Sequence, residues 1–196
     1  MQKATRARGA EVRSRIERAA MELVCEVGHG GITTRLLAER AGVAPGLVHY
    51  HYRSIDDAVR TAMLAAIDGL VSDFARAADE VETPHQALDV VWAMLAPERV
   101  DQAASVLALE SVLAATRDPE LRRRMGEAVI AFRKILQDRL IEAGVEEPEA
   151  TAAVLAAVID GVMMHRVLFT DEPSDLLYSE AARAVTQRII NQEGRP

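Results

Sequence analysis

The sequence predicts an all-α protein of about nine helices, and three observations lead there. Apolar residues make up 49% of the 196 residues but aromatics only 4%, so the apolar mass is mostly Ala, Leu, Val and Ile. Ala and Leu are among the residues cheapest to hold in helical form. The seven prolines and eleven glycines fall mostly between periodic segments, where they start or end helices without breaking them. Helix-start signals also recur along the chain, each followed by a run long enough for several turns.

The elements follow in order. Residues 1–9 are polar, with Lys3, Arg6 and Arg8, and read as a flexible basic arm. A first helix extends to about Val27, because Val12, Ile16, Ala19, Leu23 and Val27 recur on one face. Gly28, Gly30 and Gly31 stop it. A short helix from Thr34 to Ala41 ends at Gly42, and another runs from about Pro45 to Tyr52. Ser54 then acts as an N-cap, with Asp57 placed to close a capping box. The helix it opens reaches about Val81, a length of ~40 Å. Thr83-Pro84-His85-Gln86, Asp118-Pro119-Glu120, Glu147-Pro148-Glu149 and Pro173-Ser174 open the later helices.

Composition excludes several classes. A single cysteine, Cys25, permits neither an intramolecular disulfide nor a Cys-rich zinc site, and its apolar setting suits packing. No apolar stretch follows the N-terminal charges, so no signal peptide is expected. The longest apolar run, about 152–169, contains Asp160, His165 and Arg166. A membrane span of roughly 20 residues would not tolerate them, and a cytoplasmic protein is the expectation. The net charge of −7 divides unevenly. Residues 1–60 carry ten basic and seven acidic side chains; residues 61–196 carry thirteen and twenty-three. A basic end on an acidic body suggests one part that faces nucleic acid.

Residues 32–52, ITTRLLAERAGVAPGLVHYHY, read as two short helices joined by a tight turn. Leu36, Leu37 and Ala41 are apolar on the first helix, Val43, Leu47 and Val48 in and after the turn. Gly42 gives the turn its φ > 0 option, and Ala38 lets the helices cross closely. In such a helix-turn-helix the second helix enters the major groove. Here it carries His49, Tyr50, His51 and Tyr52, a poor choice for a core and a good one for phosphates and base edges.

This stretch resembles the DNA-binding domain of the tetracycline-repressor (TetR) family of transcriptional regulators. Thr33, Leu37, Ala38, Ala41, Gly42, Val43, Gly46, Val48, His51 and Tyr52 stand at that family's positions, within a signature of about 45 residues. The rest is similar to the family's regulatory domains in helix count and in the apolar helix AAVLAAVIDGVMMHRVL. The resemblance implies a helix-turn-helix domain at 1–54 and a ligand-sensing, dimerising domain at 55–196. It implies a repressor released from a palindromic double-stranded DNA operator by a small-molecule effector, with no cofactor. It also assigns site residues. Thr33 or Thr34 caps the first motif helix and reaches a phosphate. Arg35 meets a phosphate or pairs with a guanine edge. Pro45, Gly46, Leu47, His49 and Tyr50 line the base-facing side, His51 contacts the backbone, and Tyr52 packs beneath the helix. The chain departs from the family at His49, where Tyr is usual, and at Ile55, where a phosphate-binding Lys is usual. Arg53 or the basic arm, which could enter a minor groove, can supply that charge.

The sensor half is read more loosely. Trp92, Met94, Leu109, Leu113, Phe132, Met163, Met164, His165 and Phe169 are candidate walls of a ligand cavity, and each is as consistent with ordinary core. Glu110, Arg133, Asp160 and His165 could orient a ligand. Between residues 151 and 169 only Thr151, Asp160, His165 and Arg166 are polar, so nearly every face needs covering. The final helix adds a stripe at Leu177, Ala181, Val185 and Ile189. Two copies joined through about 148–191 would cover these faces; a single chain wrapping the helix is the alternative. No phosphate loop, nucleophile elbow, metal spacing or catalytic carboxylate pair occurs, so an enzyme is not expected. The competing reading is a dimeric ligand-binding or interaction module whose head has lost DNA reading. Ile55 favours it; Arg35, Gly42 and the His–Tyr cluster oppose it.

Overall fold

A computed structural model describes residues 2–80 and 102–168. Among them the chain is all-helical: α1 (Gln2–Val27), α2 (Thr34–Ala41), α3 (Pro45–His51), α4 (Ile55–Asp79), α5 (Gln102–Ala115), α6 (Pro119–Glu142) and α7 (Pro148–Leu168). One turn of 3-10 helix, His29–Gly31, follows α1. These seven helices compare with about nine expected over the whole chain. The helices expected from Thr83 and beyond Pro173 lie outside the described residues.

One expectation is corrected. Residues 2–9 are not an irregular arm; they form the first two turns of α1. Ala and Arg dominate this stretch, and both hold a helix at little cost. Once the apolar half of α1 is formed, adding turns upstream needs no new nucleus.

The chain forms two compact units. The first comprises Met1–Ile67 with Val106–Arg122; the second comprises Asp68–Ser105 with Arg123–Pro196. In the first, α1, α2 and α3 pack on one another. Ile16, Ala19, Ala20, Leu23 and Val24 of α1 are buried, as are Leu37, Ala38 and Ala41 of α2 and Val48 of α3. Ala58, Val59, Ala62 and Met63 bury the first half of α4.

Local chemistry sets the helix boundaries. Thr33 caps α2, its Oγ1 accepting from Leu36 N at 3.2 Å. Ser54 Oγ accepts from Asp57 N at 3.1 Å, and Asp57 Oδ2 accepts in return from Arg53 N at 3.0 Å. The box thus closes one residue upstream of the cap itself. Pro119 and Pro148 stand at first helical positions of α6 and α7, where a missing N–H costs nothing.

Gly42 closes α2 with φ +62°, and its N–H and that of Val43 satisfy the carbonyls of Glu39 and Ala38. Its own carbonyl accepts from Arg15 Nη2 at 2.6 Å, and a Cβ here would lie 2.6 Å from that nitrogen. Gly42→Ala combines left-handed strain with withdrawal of Arg15. We expect a loss of about 1–3 kcal/mol in chemical unfolding; an unchanged midpoint would show that the turn relaxes freely.

In the second unit, Phe74 of α4, Leu136 and Leu140 of α6, and Ala152, Leu155 and Val162 of α7 form one buried cluster. Phe132, Ile135, Val145, Ile159 and Met163 pack against it. The Phe74 and Phe132 rings meet at 4.5 Å and 51°, a tilted pairing that aromatic quadrupoles favour. Arg124 pairs with Asp68 at 3.0 Å and Arg139 with Asp79 at 3.1 Å, so α4 and α6 run in the same direction here. Among the described residues no helix is long and apolar enough to cross a membrane.

Candidate nucleic-acid interface

Burial divides α3 cleanly. Val48 and the C-cap Tyr52 are buried, His51 is half-buried, and Pro45, Gly46, Leu47, His49 and Tyr50 are exposed. At 100° per residue this places Gly46 and Tyr50 at the centre of the outward face, with His49 and Leu47 on its flanks. Tyr50 is 80% exposed. Its ring stands edge-on to His51 at 5.0 Å and 86°, which limits its rotamers without hiding its hydroxyl. A Cβ on Gly46 would meet nothing within 4 Å, so the absence of a side chain leaves space for an approaching surface.

Arg35 is exposed in the first turn of α2, Thr33 is exposed at its cap and Thr34 is half-buried. Thr33 Oγ1 already accepts from Leu36, which leaves its proton for an acceptor outside the protein. Arg53 is exposed just after α3, and Ile55 is half-buried as the first residue of α4. The apolar residue at 55 therefore belongs partly to the packing of α4.

Tyr52 shows how the reading head is fastened from below. Its Oη donates to Glu17 Oε1 at 2.8 Å, and Arg13 lies over the ring at 5.6 Å. Burial first, and the Glu17 bond second, push its phenol up to about 12. A raised value means that the folded state keeps the proton more firmly. The stabilisation is complete below the ordinary value of 10.0 and is lost as pH rises through about 12. Wild type should therefore lose stability across that window more steeply than Tyr52→Phe, as read by urea unfolding in a pH series. Parallel curves would exclude the phenol.

Several fastenings were invisible in the sequence. Arg40 at the end of α2 forks onto Glu26 at 2.7 and 2.5 Å and reaches Glu22 at 3.3 Å. Its hydrogen bond holds the Glu26 carboxyl below the usual range. His29 Nε2 lies 3.2 Å from Asp56 Oδ1. Arg60 bridges Asp57 and Asp118 at 2.9 and 2.8 Å. Apart from Arg60–Asp57, which lies three residues apart on α4, these pairs join residues distant in the chain, which no local pattern encodes.

The candidate ligand walls separate. Leu109 and Leu113 belong to the first unit, half-buried and 50% exposed respectively. Phe132 and Met163 belong to the second and pack against its core. Met164 and His165 are exposed on α7. Of the candidate polar groups, Glu110 is half-buried and Arg133 exposed. Asp160 keeps an exposed surface, yet the side chains crowding its carboxyl desolvate it and push it above its ordinary value, with the charge of Arg133 opposing. Trp92, Met94 and Phe169 lie outside the described residues. No group of three His, Cys, Asp or Glu that could hold a metal occurs among the described residues.

Two short crossed helices, a left-handed turn between them and an outward-facing second helix define a helix-turn-helix transcriptional regulator. Family profiles agree over most of the chain. Residues 16–60 match bacterial regulatory proteins of the tetR family, and residues 82–192 match the tetracyclin repressor-like C-terminal domain. The chain belongs to the TetR family of DNA-binding transcriptional regulators. It is 49% identical over 51 residues to the class A tetracycline repressor protein from transposon 1721 of Escherichia coli, a match spanning 24% of each chain. Over 184 residues it is 26% identical to the HTH-type transcriptional regulator BetI of Rhizobium meliloti, covering 88% of this chain and 84% of that one. A solved transcriptional regulator of Rhodococcus sp. Rha1 is similar at TM-score 0.74 and 25% identity, covering 94% of this chain and 99% of that one.

Proposed function

We propose that this regulator represses transcription as a homodimer on a palindromic operator and lets go when a small molecule occupies its C-terminal domain. The observation that carries the DNA half is the outward face of α3: Gly46 and Tyr50 at its centre, His49 and Leu47 beside them, all exposed on a helix locked from below by Val48 and Tyr52. In this reading Tyr50 and His49 meet base edges, while Thr33, Thr34, Arg35, His51 and Arg53 hold phosphates. Pro45 and Gly46 allow the backbone of α3 to approach closely. Two such helices related by a two-fold axis read half-sites about 34 Å apart.

The dimer half rests on α7. Val154, Val158, Met164 and Leu168 are exposed, with Ala157 and Gly161 between them. Small residues among apolar ones suit the close approach of a second helix, and a second copy of this chain supplies one. An effector that binds one arrangement of the dimer better than the other shifts the half-site spacing and so the DNA affinity. Selection from random duplex oligonucleotides with the purified protein tests the proposal. A two-fold symmetric site should be enriched; enrichment of none, even at low salt, would reject DNA reading and leave a ligand-binding module.

A further inference from the structure

We infer that Arg60 is the positioning residue that holds the foot of the recognition helix to the first turn of α6. Its guanidinium forks, Nη2 donating to Asp57 Oδ1 at 2.9 Å and Nη1 to Asp118 Oδ2 at 2.8 Å. Each carboxylate gives its other oxygen to backbone. Asp57 Oδ2 accepts from Arg53 N at 3.0 Å, the residue directly after the α3 C-cap Tyr52. Asp118 Oδ1 accepts from Glu120 N and Leu121 N, both at 3.0 Å. An unbroken run of hydrogen bonds thus joins Arg53 to Leu121, all within the first compact unit.

Three features separate this from an ordinary surface ion pair, which contributes little. Both carboxylates are bonded at both oxygens, so neither can swing away without losing a backbone partner. Their ionised forms are favoured: hydrogen bonds from Arg53 N and Leu121 N, together with Arg60, hold Asp57 and Asp118 below the usual carboxylate range. And only a planar guanidinium serves two carboxylates at once in fixed geometry; a lysine ammonium does not. α6 then continues without a break to Glu142. Displacement of its first turn therefore reaches α3 by a route other than the long axis of α4. The inference rests on the DNA-reading head proposed above, since its consequence is the placement of α3.

Asp118→Asn is the sharpest probe. Asn caps a helix as well as Asp does, so the bonds to Glu120 and Leu121 can survive while the anion facing Arg60 is removed. Amide exchange of the full chain by NMR should rise about tenfold at Arg53, the scale of one lost charged hydrogen bond, with Glu120 and Leu121 protected as before. Arg60→Met should do the same, Arg60→Lys should fall between, and the double variant should be no worse than Arg60→Met alone. Affinity for the selected palindrome should fall about tenfold in step. Unchanged exchange at Arg53, additive effects of the two substitutions, or equal acceleration of amides throughout the unit would each overturn the inference. A wild-type protein that enriches no palindrome would sink the regulator reading instead, and exchange at Arg53 would still decide the role of Arg60.

Discussion

Val154→Asp combined with Val158→Asp should convert the protein to a monomer and weaken operator binding by about a hundredfold to a thousandfold. Val154 is 49% exposed and Val158 36% exposed, so in one chain the two carboxylates stay in water and the fold tolerates them. Between two copies they would face each other across an apolar contact, where an unpaired charge loses its hydration without compensation. The affinity loss follows from valency. A dimer binds its second half-site intramolecularly, and that advantage is commonly ~10² to 10⁴. A monomer has one recognition helix and forfeits it. Sedimentation velocity reads the mass and gel shift reads the affinity. A variant that remains dimeric would place the interface elsewhere than α7, and a monomer with wild-type affinity would remove the two-fold model of DNA reading.

How much of this was legible in the sequence depends on how local the cause is. The limits of α2 were readable to the residue because Thr33 and Gly42 act on their immediate neighbours. The starts of α6 and α7 were readable because Pro at a first helical position has few other uses. The amino-terminal turns of α1 were missed because periodicity finds apolar stripes, and residues 2–9 (QKATRARG) hold no such stripe. Their cue was propensity, in the Ala and Arg content of residues 4–10. Within the site, Tyr52 was expected beneath α3 and is buried there. The cluster of four aromatic and imidazole side chains identified the helix, while its rotation was expected only from the family resemblance. The burial of Val48 supplies that rotation, turning Tyr50 out and His51 partly in. The Arg15–Gly42, Arg40–Glu26 and Arg60–Asp118 bonds join residues 27, 14 and 58 positions apart. The first ends on a backbone carbonyl, which every residue carries, and the other two show in the sequence only as a charge on each side, where 27% of the chain is charged. The ligand walls were least legible, since an apolar side chain facing a cavity and one facing a core have the same pattern.

The rotation of α3 leads to the second large effect. Tyr50→Ala should lower affinity for the selected operator by about tenfold to a hundredfold, the range of one good base contact, while leaving stability nearly unchanged. Tyr50 is 80% exposed, and among the described residues its ring makes an edge contact with His51, so the fold loses little. Ala also holds a helix slightly better than Tyr, which offsets that contact. The loss should be specific: discrimination between the selected palindrome and one changed at the contacted base should narrow, and the dependence on salt should stay the same. Arg35→Ala gives the contrast. A phosphate contact there lowers affinity for all sequences alike and reduces the salt slope by about one unit, whereas a guanine contact alters specificity as Tyr50 does. Equal loss on every sequence in Tyr50→Ala would assign that side chain to the backbone and pass base reading to His49, the neighbour on the same exposed face.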